Sequence, residues 1–172
     1  MPSHLTPITW LQALWDARQF KVMQPGQRRP SSLIRLYALE TGSCEGCAME
    51  LRTLAGGAFA LKASGFEFVP APGEADWLLV TGAVTRSNAG TLLAAWQSMQ
   101  GRKLLVAVGA CGLDGGPFTA SYAVLGGVRP LSRHYQVIKG CPPSPQDVLQ
   151  ALGVLAEEVW ASPPVPAAAD SE

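Results

Sequence analysis

Long apolar runs, charged side chains, a net charge of either sign and cysteine are all scarce in this 172-residue chain. Apolar stretches such as Trp77–Val80 and Leu104–Val108 are strand-sized, far short of a membrane span. The N-terminus has no continuous apolar segment leading to a small-residue cleavage site, so no secretory signal or transmembrane helix is expected. A cytoplasmic chain with only four cysteines uses them as ligands or catalysts rather than as disulfides. Charged residues make up 15%, well below the usual quarter, and thirteen basic side chains cancel thirteen acidic ones. That balance excludes a general nucleic-acid binder and an acidic solvating chain. It is also a poor recipe for a lone soluble monomer, which points to a subunit that covers much of its surface with partners.

What the chain does contain falls into three zones. Residues 1–32 form an N-terminal amphipathic arm and linker, in which Trp10, Leu11, Leu14 and Trp15 mark one side of a short helix. Thr9 is its candidate N-cap, Pro25-Gly26 stops it, and Gln27-Arg28-Arg29-Pro30 follows as a basic linker. Such a helix either packs on the body of the chain or docks on a partner or membrane surface. Residues 33–161 alternate strand-like and helix-like segments. Strands are expected at Leu33–Leu39, Phe66–Val69, Trp77–Thr81, Leu104–Val108 and Val137–Ile138. Helices are expected at Cys47–Leu54, Gly90–Gln100 (with Leu92, Leu93 and Trp96 on one side) and Gln146–Val159. Alternation with continuously apolar strands predicts an α/β fold, a mainly parallel sheet covered by helices. Residues 162–172, rich in proline and alanine with acidic ends, are expected to form a disordered, flexible tail.

The four cysteines carry the chemistry. Cys44 and Cys47 lie in Gly42-Ser43-Cys44-Glu45-Gly46-Cys47, Cys111 in Gly109-Ala110-Cys111-Gly112, and Cys141 in Gly140-Cys141-Pro142-Pro143. All are expected in loops that follow apolar strands, at the sheet edge where ligands collect in open α/β folds. Glycine beside a ligand lets the backbone approach a bulky group. Structural zinc sites use two close pairs, whereas here only one pair is close and the other two cysteines stand alone. The Cys-Pro dipeptide also matches an ending found among iron–sulfur ligands. Spacing and context alone leave three readings open: an iron–sulfur cluster, a zinc site, or unligated core or redox thiols.

With these motifs, together with Gly115-Gly116-Pro117-Phe118 and Tyr122–Val128, the chain resembles the small-subunit family shared by NiFe hydrogenases and respiratory complex I. The resemblance runs from about Leu33 to Leu155. It implies a flavodoxin-like fold with helices on both faces of the sheet. It also implies one 4Fe-4S cluster held by Cys44, Cys47, Cys111 and Cys141, beside a large hydrogenase-like (or complex I 49 kDa-like) catalytic subunit. Further partners implied are a ferredoxin-like subunit and membrane subunits, and no nucleic acid. The Cys44-x-x-Cys47 spacing resembles hydrogenase small subunits of the formate hydrogenlyase-like, membrane-bound group, whereas complex I subunits carry adjacent cysteines there. The function implied is an electron-transfer oxidoreductase subunit, not catalytic alone and peripheral on the cytoplasmic side of the inner membrane. The alternatives are the equivalent B or 20 kDa subunit of an NADH:quinone oxidoreductase, and a zinc-stabilised interaction module.

Glu50 matches an acid of the family motif, and is either a proton relay or a solvated or capping acid early in its helix. Glu45 reads as solvent-facing or a partner contact. Thr81, Gly82, Thr85 and Arg86 match a family loop in which Arg86 pairs with the charge of the cluster or forms an interface salt bridge. His134 reads as a loop or interface residue, and His4 lies in the arm.

Overall fold

A computed structural model describes residues 33–161 apart from Ser43, 101–102 and 119–120, with side chains described as far as Val159. The expected arm at 1–32 and tail at 162–172 lie outside the described residues. The order is β1 (Ile34–Glu40), α1 (Gly46–Ala55), β2 (Phe66–Phe68), β3 (Trp77–Thr81), β4 (Val84–Thr85), α2 (Arg86–Ser98), β5 (Leu104–Val108), α3 (Gly109–Asp114), β6 (Val124–Gly126), β7 (Gln136–Ile138) and α4 (Pro145–Ala161). Five strands form one parallel sheet in the order β2-β1-β3-β5-β7. Counting those five alone, the order is that of flavodoxin-like doubly wound folds. The short β4 and β6 pair antiparallel in a separate ribbon.

Period-two alternation sorts the strand side chains onto two faces. Ile34, Leu36, Trp77, Leu79, Val106, Val108 and Ile138 face one core, closed by Leu51 and Leu54 of α1 and by Val148, Leu152 and Leu155 of α4. Leu78, Val80, Leu105 and Ala107 face the other, closed by Leu92, Ala95 and Met99. Helices therefore cover both faces, and β3 is buried from end to end. Trp77 fills the first core fully, its ring 5.9 Å from that of Phe66 at 53°. Arg35 grips Asp76 through two guanidinium bonds of 2.9 and 3.2 Å.

Three details differ from the sequence expectations. First, α2 begins four residues early, because Thr85 caps it by accepting a bond from the Asn88 amide. The buried stripe follows helical spacing through Leu92 and Ala95 to Met99 just past the helix end, and Leu93 is exposed. Second, β4 and β6 are too short to carry a periodic signal. Third, Cys47 and Cys111 lie in the opening turns of α1 and α3 rather than in loops. The glycines of Gly109–Asp114 lower its helix propensity and conceal that short helix in the sequence.

Candidate metal centre

The chain order reverses between β1 and β3, and the segments leaving the carboxyl ends of β1, β5 and β7 carry the cysteines. The first of these is fastened at its root. Buried Thr41 lies within hydrogen-bond distance of the carbonyls of Thr81 (3.0 Å) and Gly82 (3.2 Å) through its hydroxyl. Its own carbonyl accepts from the Thr85 hydroxyl (3.2 Å) and the Asn88 side-chain amide (3.0 Å). Gly42 then passes so close to Thr85 that a Cβ would meet its methyl at 2.7 Å. Exposed Cys44 follows. Glu45 adopts the left-handed conformation at φ 61°, a region sparsely used by residues other than glycine, and turns the chain into α1. One residue into that helix, Cys47 is half-buried and packs against the core.

The other segments come in against it. Gly109, at φ +77°, lies so near Cys47 that a Cβ there would stand 2.7 Å from its sulfur. Two residues on, Cys111 is buried. The Ala110 amide donates to the Gly140 carbonyl at 3.0 Å, tying the segment after β5 to the loop after β7, where Cys141 is exposed. Gly46 closes the ring: a Cβ on it would be 3.6 Å from the Cys44 sulfur and 3.7 Å from Pro142, the neighbour of Cys141. Gly116 lies against the Cys111 sulfur, where a Cβ would approach to 3.1 Å.

Electrostatics agrees with this convergence. Burial pushes the Cys47 thiol up to about 11, and repulsion by the thiolate forms of Cys111, Cys141 and Cys44 adds to it, partly offset by a backbone hydrogen bond. Burial, and then Cys141 and Cys44, also raise Cys111. Cys47 thus senses the other three sulfurs, and Cys111 senses those of Cys141 and Cys44. Among the described residues, however, no three His, Cys, Asp or Glu side chains gather tightly enough for a single metal ion. The thiols ring a shared face of glycine-lined backbone rather than closing on a point. Backbone stripped of side chains beside Cys47 and Cys111 leaves room for a group bulkier than a single ion, and a four-thiol donor set with that room fits a cube of iron and sulfide. The adjoining cavity between β1, β2 and α1, about 180 Å³ in volume, is smaller than ordinary small-molecule pockets.

The remaining candidates separate. Glu50 is half-buried one turn beyond Cys47, and no acid occupies the first turn of α1, so it does not cap that helix. Glu45 is exposed and its side chain makes no capping bond. Arg86 is exposed at the start of α2 and makes no ion pair among the described residues. Thr81 is buried beneath Thr41 through its carbonyl. His134 is exposed in the turn before β7, and His4 lies outside the described residues. Asn88 and Thr41, which clamp the Cys44 loop, carry no spacing signal in the sequence.

No helix among the described residues is long and apolar enough to cross a membrane. Residues 44–155 match the family described as NADH ubiquinone oxidoreductase, 20 kDa subunit. Over 133 residues, 75% of this chain, it is 38% identical to formate hydrogenlyase subunit 7 of Escherichia coli, and the match spans about half (52%) of that relative. It is 34% identical to the B subunit of the NADH-quinone oxidoreductase of Heliobacterium modesticaldum, covering 68% of this chain and 67% of the relative. In fold it resembles a chain of the membrane-bound sulfane sulfur reductase, an archaeal respiratory membrane complex. That likeness has a TM-score of 0.66 at 22% identity and covers 83% of this chain and 78% of that one.

Proposed function

The chain belongs to the NADH ubiquinone oxidoreductase 20 kDa subunit family, and from that membership we propose that it is the electron-transfer subunit of a membrane-bound, formate hydrogenlyase-like hydrogenase complex. Cys44, Cys47, Cys111 and Cys141 are its ligands for one 4Fe-4S cluster. The observation that carries this reading is the convergence of all four thiols from three separate segments at one sheet edge. Bound there, the cluster supplies one-electron redox chemistry, while the protein sets its position and potential.

The residues of the chain have five tasks. The thiols would bind as thiolates, so loading releases their protons to solvent, and Cys47 and Cys111, held protonated by their raised pKa values, lose theirs only as iron displaces them. Gly109 and Gly116 keep side chains away from two of the sulfurs. Thr41, Thr85 and Asn88 hold the Cys44 loop at its root. Burial of Cys111 excludes water from one side. Glu50, one helical turn from Cys47, stands where a proton relay toward the large-subunit boundary would begin. The expected partners are that large hydrogenase-like subunit, a ferredoxin-like subunit and membrane subunits, with the chain peripheral on the cytoplasmic side.

A second reading, the equivalent subunit of a complex-I-like NADH:quinone oxidoreductase, is favoured by the relatives from NADH-quinone oxidoreductases. The Cys44-x-x-Cys47 spacing favours the first. Paired cysteine motifs for nickel in the co-purifying large subunit would decide for the hydrogenase. The cluster is tested by anaerobic reconstitution of the full chain, expected to give about four iron and four acid-labile sulfide per chain and an EPR signal on reduction. Cys111→Ala should lose both, and Glu45→Gln should keep both. Zinc without sulfide, or normal iron in Cys111→Ala, would overturn the assignment.

A further inference from the structure

Asp114 is an acid held in place against the cysteines. It is the last residue of α3, one helical turn beyond Cys111. Its carboxylate accepts from the Gly116 amide at 3.0 Å. Gly116 in turn lies so near Cys111 that a Cβ on it would stand 3.1 Å from the sulfur and 3.2 Å from the amide nitrogen. Through that shared glycine, covalent geometry keeps the carboxylate within about 9 Å of the Cys111 sulfur.

The turn that carries it is fixed from both sides. The Gly115 amide donates to the Cys111 carbonyl at 2.9 Å, and the Phe118 amide to the Gly115 carbonyl at 2.8 Å. Gly115 and Gly116 both take the left-handed conformation, at φ +96° and +51°. From the other side, Gly127 packs so tightly on the peptide between Leu113 and Asp114 that no Cβ fits there.

Two ordinary explanations leave the charge of Asp114 unexplained. A carboxylate at the carboxyl end of a helix opposes the helix dipole, so helix stability does not call for it. The turn needs only a short side-chain acceptor, which asparagine supplies without charge. Nor is the charge neutralised by a described cation. Arg129, whose amide donates to the Leu113 carbonyl, forms no ion pair with it. Cys111 feels this field: after burial and the Cys141 and Cys44 thiolates, Asp114 adds to the rise of its thiol. An electron added to a centre on Cys111 places more negative charge against the same field.

We propose that Asp114 lowers the reduction potential of the centre held by the cysteines, making its reduced form the stronger electron donor. This rests on the four-cysteine cluster proposed above. One electron enters or leaves the cluster, and no bond is made and no proton moved at Asp114.

The test is a mediated redox titration of the reconstituted full chain, with dithionite supplying the electrons and the EPR signal of the reduced cluster reading the midpoint. Asp114→Asn keeps an acceptor for Gly116 and removes the charge. It should favour reduction at least about threefold, where tenfold corresponds to about 59 mV for one electron. Asp114→Ser, a second uncharged turn former, should act in the same direction, and Asp114→Glu should stay nearer the wild type. Glu74→Gln, before β3 at the opposite end of the sheet, should leave the midpoint where it was. Because Asp114 is exposed, the gap between wild type and Asp114→Asn should narrow as salt rises from about 50 to about 500 mM. Equal midpoints for wild type and Asp114→Asn, or equal shifts for the asparagine and glutamate variants, would overturn the proposal. Loss of iron from both uncharged variants would overturn it too, giving the acid a role in assembly instead. Iron and sulfide on the same samples separate the two ideas. A wild type that takes up no iron refutes the cluster itself, whereas full iron with equal midpoints refutes the role of Asp114 alone.

Discussion

At the residue scale the site rests on a few positions where a side chain would be in the way. Gly109 combines a left-handed backbone with a close approach to Cys47, whose sulfur would lie 2.7 Å from any added methyl. Gly109→Ala is therefore expected to cost about 1–2 kcal/mol from backbone strain alone, measured by urea denaturation, and to cut iron incorporation sharply while Gly57→Ala, which meets nothing, does not. The Cys47 thiol predicts a pH dependence for the cluster-free chain. Its folded value of about 11 exceeds the ordinary 9.0, so above pH 9 the unfolded chain gives up that proton first. Its contribution to stability is complete below about 9 and lost as pH rises to about 11. Urea midpoints of the wild type should accordingly fall more steeply across that window than those of Cys47→Ser. The approach of the four cysteines was legible in the sequence because each stands in a glycine-marked segment that follows an apolar strand. Thr41 and Asn88 were not, since any well-placed hydrogen-bonding side chain of similar reach looks alike in one sequence.

At the element scale, the strong strands announced themselves and the weak ones did not. Trp77–Thr81 and Leu104–Val108 are apolar on both faces, the mark of central parallel strands, and they form as expected. The β4–β6 ribbon and α3 hold the site without such a mark, because their stability comes from tertiary contacts rather than from local preference. The start of α2 shows how one cap resets a helix. Thr85 both caps that helix and donates to the Thr41 carbonyl, so Thr85→Ala should cost about 1 kcal/mol and loosen the Cys44 loop. Chemical denaturation reads the first effect and faster loss of iron to a chelator the second, with Thr85→Ser retaining both interactions.

For the whole molecule, two cores of described residues close on opposite faces of a single sheet. We propose that residues 33–161 form the independent folding unit. Removing residues 1–32 should then leave its stability to urea unchanged to within about 0.5 kcal/mol while altering association with membranes or partners. The flavodoxin-like strand order was legible only through family resemblance, since parallel pairing of β1 with both β2 and β3 joins segments far apart in sequence, which no local pattern records.

The same arrangement has a consequence for biosynthesis. Cys44 and Cys47 leave the ribosome long before Cys141, which follows the outermost strand. For the proposed four-cysteine centre, an assembly factor delivering metal to the nascent chain would find an incomplete set of donors until that strand had been made and docked, so maturation of such a centre would wait for its synthesis.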